Sequence, residues 1–311
     1  MRALVATEKG VPASLAEHAD PDGSVLTGMW SSLNYKDALA LAGRPGVLRS
    51  LPMIPGIDVV GRDADGDVVV VTGAGLGERR DGGLAERVAI DPATAVPVPD
   101  AFSPQQAAAI GTAGVTAALS VLALERTGLP DGPVLVTGAG GGVGGFAIAL
   151  LAAAGREVHA STGRAGLIGD HLRALGATEV VDRLPVEPGR PLQSTRWAAV
   201  VDSVGGGGLV NAIAQTLPGG VVAACGLAGS PDLPGTVLPF ILRGVTLTGI
   251  YSVDLAPSLR LAAWELLAAR IDGTVADRLT ERTVGLEEAP GVADDVLAGR
   301  VRGRVVVDLD R

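Results

Sequence analysis

"VLVTGAGGGVGGFAIALLAAAG" (residues 134–155) sets a β-branched run, a glycine-dense turn and an alanine-rich helical run in succession, with seven glycines among them. A strand, a tight turn and a helix form the unit in which backbone N–H groups and the positive end of a helix dipole meet a pyrophosphate. The stretch therefore predicts a dinucleotide site. Its glycines satisfy two frames. Gly140, Gly142 and Gly145 fit the G-x-G-x-x-G spacing, and Gly138, Gly141 and Gly144 fit a turn one residue longer.

Working outward, "REVHAST", "TEVVD", "WAAVVDSV", "GGVVAACG" and "GVTLTGI" are strand-like runs, mostly separated by helical stretches or glycine turns. That alternation implies a parallel sheet covered on both faces. On the other side, breakers such as "ADPDGS", "MIPGID" and "DADGD" recur at close spacing and predict a small, mostly β unit. After Ser252, the helical "LAPSLRLAAWELLAARID" leads to a last strand in "VLAGRVRGRVVVDLD". A sheet that already has six strands is not easily extended, so this strand is placed with the N-terminal unit. The expected organisation is an α/β chain with residues 1–112 and 253–311 in one domain. Residues 113–252 then form a nucleotide-binding domain inserted into it, and ligands are expected in the cleft between the two.

The identity of the nucleotide is read at the end of the second strand, where an acidic residue would hold a ribose 2′-hydroxyl. Here the chain has "HASTGRAG", with no Asp or Glu between Val158 and Ile168. Ser161 and Thr162 offer hydroxyls, and Arg164 offers either a guanidinium for a 2′-phosphate or a solvated loop cation. The expected cofactor is NADPH.

Composition bounds the rest. A chain of 311 residues has room for two domains. A net charge of -9 disfavours nucleic acid, whose phosphates require clustered Lys and Arg. Mean hydropathy is +0.38, and Ala101 to Leu124 carries no charge. That stretch is mostly alanine with interspersed polar residues, so it reads as a buried helix broken at "GTAG" rather than a membrane span. One cysteine, Cys225, makes no internal disulfide, and no basic segment with an apolar core follows Met1, so a cytoplasmic location is expected.

The three histidines, His18, His159 and His171, and Cys225 lack the spacing of a zinc site, so no metal is expected. Cys225 sits in an apolar run as a small core residue, and there is no Gly-x-Ser-x-Gly elbow. Direct hydride transfer to an electrophile activated by conjugation is the chemistry left to such a chain. "WSSLNYKDALALAG" (residues 30–43) brings Asn34, Tyr35, Lys36 and Asp37 together as candidate catalytic residues. The same residues also read as a helix start, with Asn34 as cap and Asp37 three positions on.

Together, "SSLNYKDALAL", "PMIPGID", "GGLAE", "AIGTAGVTAALSVLALE", "VLVTGAGGGVGG", "STGR", "RWAAVVDSVGG", "ACGLAG", "LPFILRGVTLTGI" and "VRGRVVVD" run in order over nearly the whole chain. This set resembles the zinc-free, quinone-oxidoreductase-like branch of the medium-chain dehydrogenase/reductase superfamily, typified by acryloyl-CoA reductases of the AcuI/YhdH type. The resemblance implies a GroES-like β-barrel catalytic domain, an inserted Rossmann domain, NADPH, a homodimer and an α,β-unsaturated carbonyl acceptor. It also implies that Tyr35 and Asp37 line the active site. Thr116, the turn Gly141, Gly142, Val143 and Gly144, with Ser161, Thr162, Arg164, Arg183, Leu227, Ile250, Ser252 and Arg304, would line the cofactor path.

The chain departs from the family pattern in a short connection after Asp58, in "TGAGLGE" with Asp81, and in "YSVD" (residues 251–254). These departures bear on the substrate more than on the cofactor. The expected reaction is hydride transfer to the β carbon of an enoyl thioester such as acryloyl-CoA. Tyr35 would act on the resulting enolate, Lys36 would tune the phenol, and Asp37 would serve as an organiser holding Lys36 or a backbone group. Arg44, Arg49, Arg79 and Arg80 are candidate cations for the phosphates of coenzyme A. The rivals are an NADPH:quinone or general enone reductase and a non-catalytic NADPH-binding sensor.

Overall fold

The structure is a computed structural model and describes residues 1–126 and 128–311. Contacts gather the chain into two units, Met1–Val115 with Ser252–Arg311, and Thr116–Tyr251. The chain leaves the first unit once and returns to it once.

The first unit opens with β1 (Arg2–Val5) paired antiparallel to β2 (Ser14–Glu17). The nine-residue β3 (Val25–Leu33) runs directly into α1 (Tyr35–Leu41). The short segment after Asp58 folds as one hairpin, β4 (Asp58–Arg62) and β5 (Val68–Thr72), with the Asp63 carboxylate accepting from the N–H groups of Asp65 and Asp67. Short strands β6 (Arg87–Ala89) and β7 (Val96–Pro97) pair with β3 and β5. The valine-rich strands suit a pleated, half-buried surface, and Leu26, Leu33, Val59, Val69 and Val71 pack with Leu4, Leu41, Leu76 and Leu84 as its core.

Helix α2 (Pro104–Glu125) is the long apolar run, and its most apolar window is 78% buried in the protein. It breaks at Gly111, where φ is 45° and ψ is -152°, within the "GTAG" stretch that predicts a break.

The second unit alternates β8 (Val134–Val136), α3 (Gly142–Ala153), β9 (Val158–Ser161), α4 (Ala165–Ala174) and β10 (Glu179–Val181). It continues with β11 (Trp197–Asp202), α5 (Gly206–Ala214), β12 (Thr216–Ala224), α6 (Leu238–Arg243) and β13 (Thr246–Gly249). Among the described residues these six strands form one parallel sheet in the order β10-β9-β8-β11-β12-β13. Strands β8, β9 and β11 are buried along their whole length, as a sheet covered on both faces requires. Strand order reverses between β8 and β11, the switch point at which such sheets bind ligands beyond their carboxyl ends.

Back in the first unit, α7 (Pro257–Arg270) and α8 (Gly273–Leu279) precede β14 (Thr280–Gly285), α9 (Ala293–Leu297) and β15 (Arg304–Asp308). Strand β15 pairs antiparallel with β3, from Val305 opposite Leu33 to Asp308 opposite Trp30. The terminal strand thus belongs to the N-terminal unit, not to the parallel sheet.

Candidate active site

In the first unit, Asn34 keeps an extended backbone (φ -104°, ψ 169°) between β3 and α1 and closes a capping box with Asp37. Asp37 is buried and accepts three N–H groups: Asn34 N at 2.8 Å, Asn34 Nδ2 at 3.0 Å and Ile57 N at 2.9 Å. Asp58, also buried, accepts from Asn34 Nδ2 at 2.7 Å, Ser32 Oγ at 3.0 Å, and Thr112 N and Oγ1 at 2.9 and 2.6 Å. The break in α2 makes that last pair possible. A methyl group on Gly111 would stand 2.5 Å from Asp58 Oδ2, so only glycine lets the carboxylate reach the start of the resumed helix.

Arg304 completes the cluster. Its guanidinium donates to Ser32 Oγ at 2.7 Å, Ala109 O at 2.8 Å, and Leu33 O and Asn34 Oδ1 at 3.1 Å, and lies 3.7 Å from Asp58. Burial lowers its pKa against the opposing pull of Asp58 and Asp37. Burial, and then the charge of Asp58, push the Asp37 carboxyl up to about 7.

These contacts bear on four of the expected residues. Asn34 spends its side-chain amide on Asp37, Asp58 and Arg304. Asp37 organises backbone groups and does not hold Lys36, whose ammonium pairs with Glu78 instead. Lys36 is therefore directed to a carboxylate rather than to the phenol of Tyr35. Arg304, expected along the cofactor path, is 3% exposed and committed to the first unit's own acceptors. Tyr35, the first residue of α1, is 40% exposed.

In the second unit, α3 starts after Gly141, which is its N-cap. Gly138 has a φ of +59°, and a methyl group on Gly144 would lie 2.5 Å from Gly138 O and 2.7 Å from Ala139 Cα. The turn thus needs glycine at Gly138 and Gly144, whereas a methyl group on Gly141 would meet only Gly138 O, at 3.4 Å. Gly142 and Val143 supply the first helical turn, giving the bare backbone approach that a pyrophosphate uses.

Ser161 ends β9 and donates through Oγ to Asp182 O at 3.1 Å, while Thr162 Oγ1 accepts from Arg164 N at 3.2 Å. Both hydroxyls brace the loop. The guanidinium of Arg164 lies against Gly140, where a methyl group would be 3.0 Å from Nη2; that of Arg183 lies against Gly163, where a methyl group would be 2.8 Å from Nε. Two cations therefore flank the turn after β9, where a 2′-phosphate would be held.

Leu227 is 59% exposed beyond β12, and Ile250 N–H bonds to Ala224 O just past β13. With the glycine turn and the Ser161–Arg164 loop they stand at the carboxyl ends of the parallel strands. Thr116 is buried in α2, and Ser252 opens the returning segment of the first unit.

Sequence reasoning gave no role to Asp58, Ser32 or Thr112. Asp58 stood in "PMIPGID" without a partner in view, since its partners come from separate strands and helices. It also passed over Asp202, buried at the end of β11, where it accepts from Thr137 Oγ1 at 2.6 Å and Gly205 N at 2.7 Å. Cys225 is pushed up to about 12 by burial and then by Asp202, so its thiol is inert near neutral pH. Among the described residues no three His, Cys, Asp or Glu side chains gather as metal ligands.

Residues 142–269 match the family described as zinc-binding dehydrogenase. Acrylyl-CoA reductase AcuI of Ruegeria pomeroyi is 44% identical over 303 residues, covering 93% of this chain and 91% of the relative. The yhdH oxidoreductase of Salmonella enterica, solved in complex with NADP, superposes with a TM-score of 0.94 at 41% identity, over 99% of this chain and all of that one. The Bacillus subtilis protein yhfP, solved with NAD bound, gives 0.92 at 41% identity, over 99% of each chain.

Proposed function

Since the chain belongs to the quinone-oxidoreductase-like branch of the medium-chain dehydrogenase/reductase family that includes acrylyl-CoA reductase AcuI, we propose that it is an NADPH-dependent reductase of α,β-unsaturated carbonyl compounds, acting on an enoyl thioester such as acryloyl-CoA. One observation carries the cofactor half of this reading: Arg164 and Arg183 flank the turn after β9, next to a glycine cradle that a side chain would fill. Their charges favour a 2′-phosphate over a free ribose hydroxyl.

When bound, NADPH supplies a hydride to the β carbon of the acceptor. The chain's own residues do the rest. The N–H groups at the start of α3 hold the pyrophosphate, and the paired guanidinium groups select the phosphorylated ribose. Tyr35 donates a hydrogen bond or a proton as negative charge develops on the acceptor, the term that oxyanion donors supply. Asn34, Asp37, Asp58 and Arg304 fix the first turn of α1, so Tyr35 leaves a braced helix end rather than a loose loop.

The reading extends to a homodimer. Strand β13 is an edge of the parallel sheet, and Ile241 and Leu242 of the adjoining α6 are 68% and 62% exposed. Pairing of two β13 edges across a two-fold axis would cover both features.

The test is reduced-nicotinamide oxidation by the purified protein, with acryloyl-CoA, a benzoquinone and a simple enone under one set of conditions and NADH as the control donor. The expected result is the highest kcat/KM with NADPH and acryloyl-CoA. A preference for the quinone would move the assignment to an NADPH:quinone reductase. Tight binding without turnover of any acceptor would reduce the chain to a nucleotide-binding module.

A further inference from the structure

The first unit holds a cavity of about 550 Å³ that the reading above leaves unused, lined by Arg80, Arg260, Asp91, Asp254, Leu255 and Ala256 among others. Arg260 is 2% exposed. It donates through Nη1 to Thr72 O and, at 3.0 Å, to Thr72 Oγ1, while its Nε has no acceptor among the described residues. Nor do the Nε and Nη2 of Arg80. A buried guanidinium N–H without a partner costs more than most single interactions contribute, so two such groups on one cavity wall call for an acceptor from outside.

The acids on the same wall act on these guanidinium groups through space, Asp254 on Arg260 and Asp91 on Arg80, but accept none of the orphaned N–H groups. Asp254 takes two bonds from Arg79, at 3.0 and 2.5 Å, and Asp91 accepts from Ala93 N at 3.0 Å as the cap of a short helical turn. The remaining wall is the start of the fourteen-residue helix α7, whose N-cap is Ala256 and which carries no side-chain cap. The positive end of its dipole and the two guanidinium groups bear on one space.

Resting on the reductase reading above, we infer that this cavity binds a phosphate-type oxyanion, and that the group it serves is a phosphate of the coenzyme A thioester. Arg80 and Arg260 donate to it, and α7 adds its terminal dipole. Arg79 takes no part, being tied to Asp254. Thr72, which Arg260 grips, lies opposite Asp58 in the β4–β5 pair, so the cavity adjoins the same strand ends that carry the braced start of α1.

The test is calorimetric titration of the full chain, saturated with NADP+ to fill the nucleotide's own phosphate sites, with coenzyme A, 3′-dephospho-coenzyme A and inorganic phosphate. Arg80 is partly exposed, so Arg80→Gln removes its charge without emptying the core. Losing a charge-assisted pair is expected to weaken coenzyme A about tenfold. Weakening of both coenzyme A and its dephospho form in Arg80→Gln assigns the diphosphate; weakening of coenzyme A alone assigns the 3′-phosphate. If only inorganic phosphate binding falls, the oxyanion site stands and the coenzyme assignment is overturned. Unchanged binding of all three probes in Arg80→Gln, and in Arg260→Lys, overturns the site. These titrations do not depend on turnover, so a chain that fails to reduce acryloyl-CoA would defeat the reductase reading and leave this result legible.

Discussion

The carboxylates of Asp37 and Asp58 accept from one nitrogen, Asn34 Nδ2, at 3.0 and 2.7 Å. Burial, and then the charge of Asp58 beside it, raise the pKa of Asp37 from 3.8 to about 7. Between those values the folded chain keeps a proton that the unfolded chain has lost. Stability therefore falls as pH rises across that window, and the penalty is complete above it. Asp37→Asn should flatten this slope in urea-unfolding midpoints measured from about pH 4 to about pH 7. An equal slope in both proteins would remove Asp37 as its origin.

Arg304→Met should be costly, because it leaves Asp58 buried without its cation and takes the donors from Ser32 and three carbonyl oxygens. The expected loss is about 3 to 5 kcal/mol. Arg304→Lys should recover only part of it, since an ammonium cannot span the spread of acceptors that the planar fork meets. Denaturant unfolding of both variants checks this. A loss under about 1 kcal/mol in Arg304→Met would show the network to be replaceable.

The nucleotide site yields two separable losses. Gly144→Ala should weaken NADPH and NADH alike, by about tenfold or more, because the new methyl group strikes the turn that both use. Arg164→Ala should weaken NADPH by roughly tenfold to a hundredfold and leave NADH nearly unchanged. Fluorescence titration with both nucleotides distinguishes them, and an Arg164→Ala protein that loses both equally would take Arg164 away from the 2′-phosphate.

Tyr35→Phe should lower kcat with acryloyl-CoA by roughly tenfold to a thousandfold, the range of a lost proton or oxyanion donor. KM should move little. An unchanged kcat in a folded variant would take Tyr35 out of the chemistry.

Ile241→Glu places a charge on the exposed face of α6 beside the β13 edge. On the dimer proposed above, sedimentation should show a dimer for the parent chain and a monomer for the variant. A variant that sediments like its parent would move the contact elsewhere.

The fold was legible because its signals are local. Each parallel strand is a short apolar run bounded by turns, and the glycine stretch contains its own strand, turn and helix. The site was legible only where it too is local. "NYKD" announced a helix start, and it is one, but its supports are Ser32, Asp58, Thr112 and Arg304, contributed by β3, β4, α2 and β15. No spacing links them. Arg304 was misread for the same reason, since nothing next to it in sequence marks a guanidinium turned into a core. The stretches read as departures from the family pattern behave similarly. Residues in and just after "TGAGLGE" meet "YSVD" through the Ala74 N–H to Val253 O bond and the Arg79–Asp254 pair, across a separation of 175 residues in the latter. They are one surface written in two places.

The pairing of β3 with β15 also sets an order of events during synthesis. Ser32 must wait for Arg304, 272 residues later, whereas the parallel sheet draws on one uninterrupted segment, Thr116–Tyr251. On the ribosome the nucleotide-binding unit can finish while β3 still lacks the neighbour on one side and Asp58 still lacks its guanidinium. A nascent chain halted before β15 would carry a completed inserted segment while the Asp58 of its first segment has yet to meet Arg304.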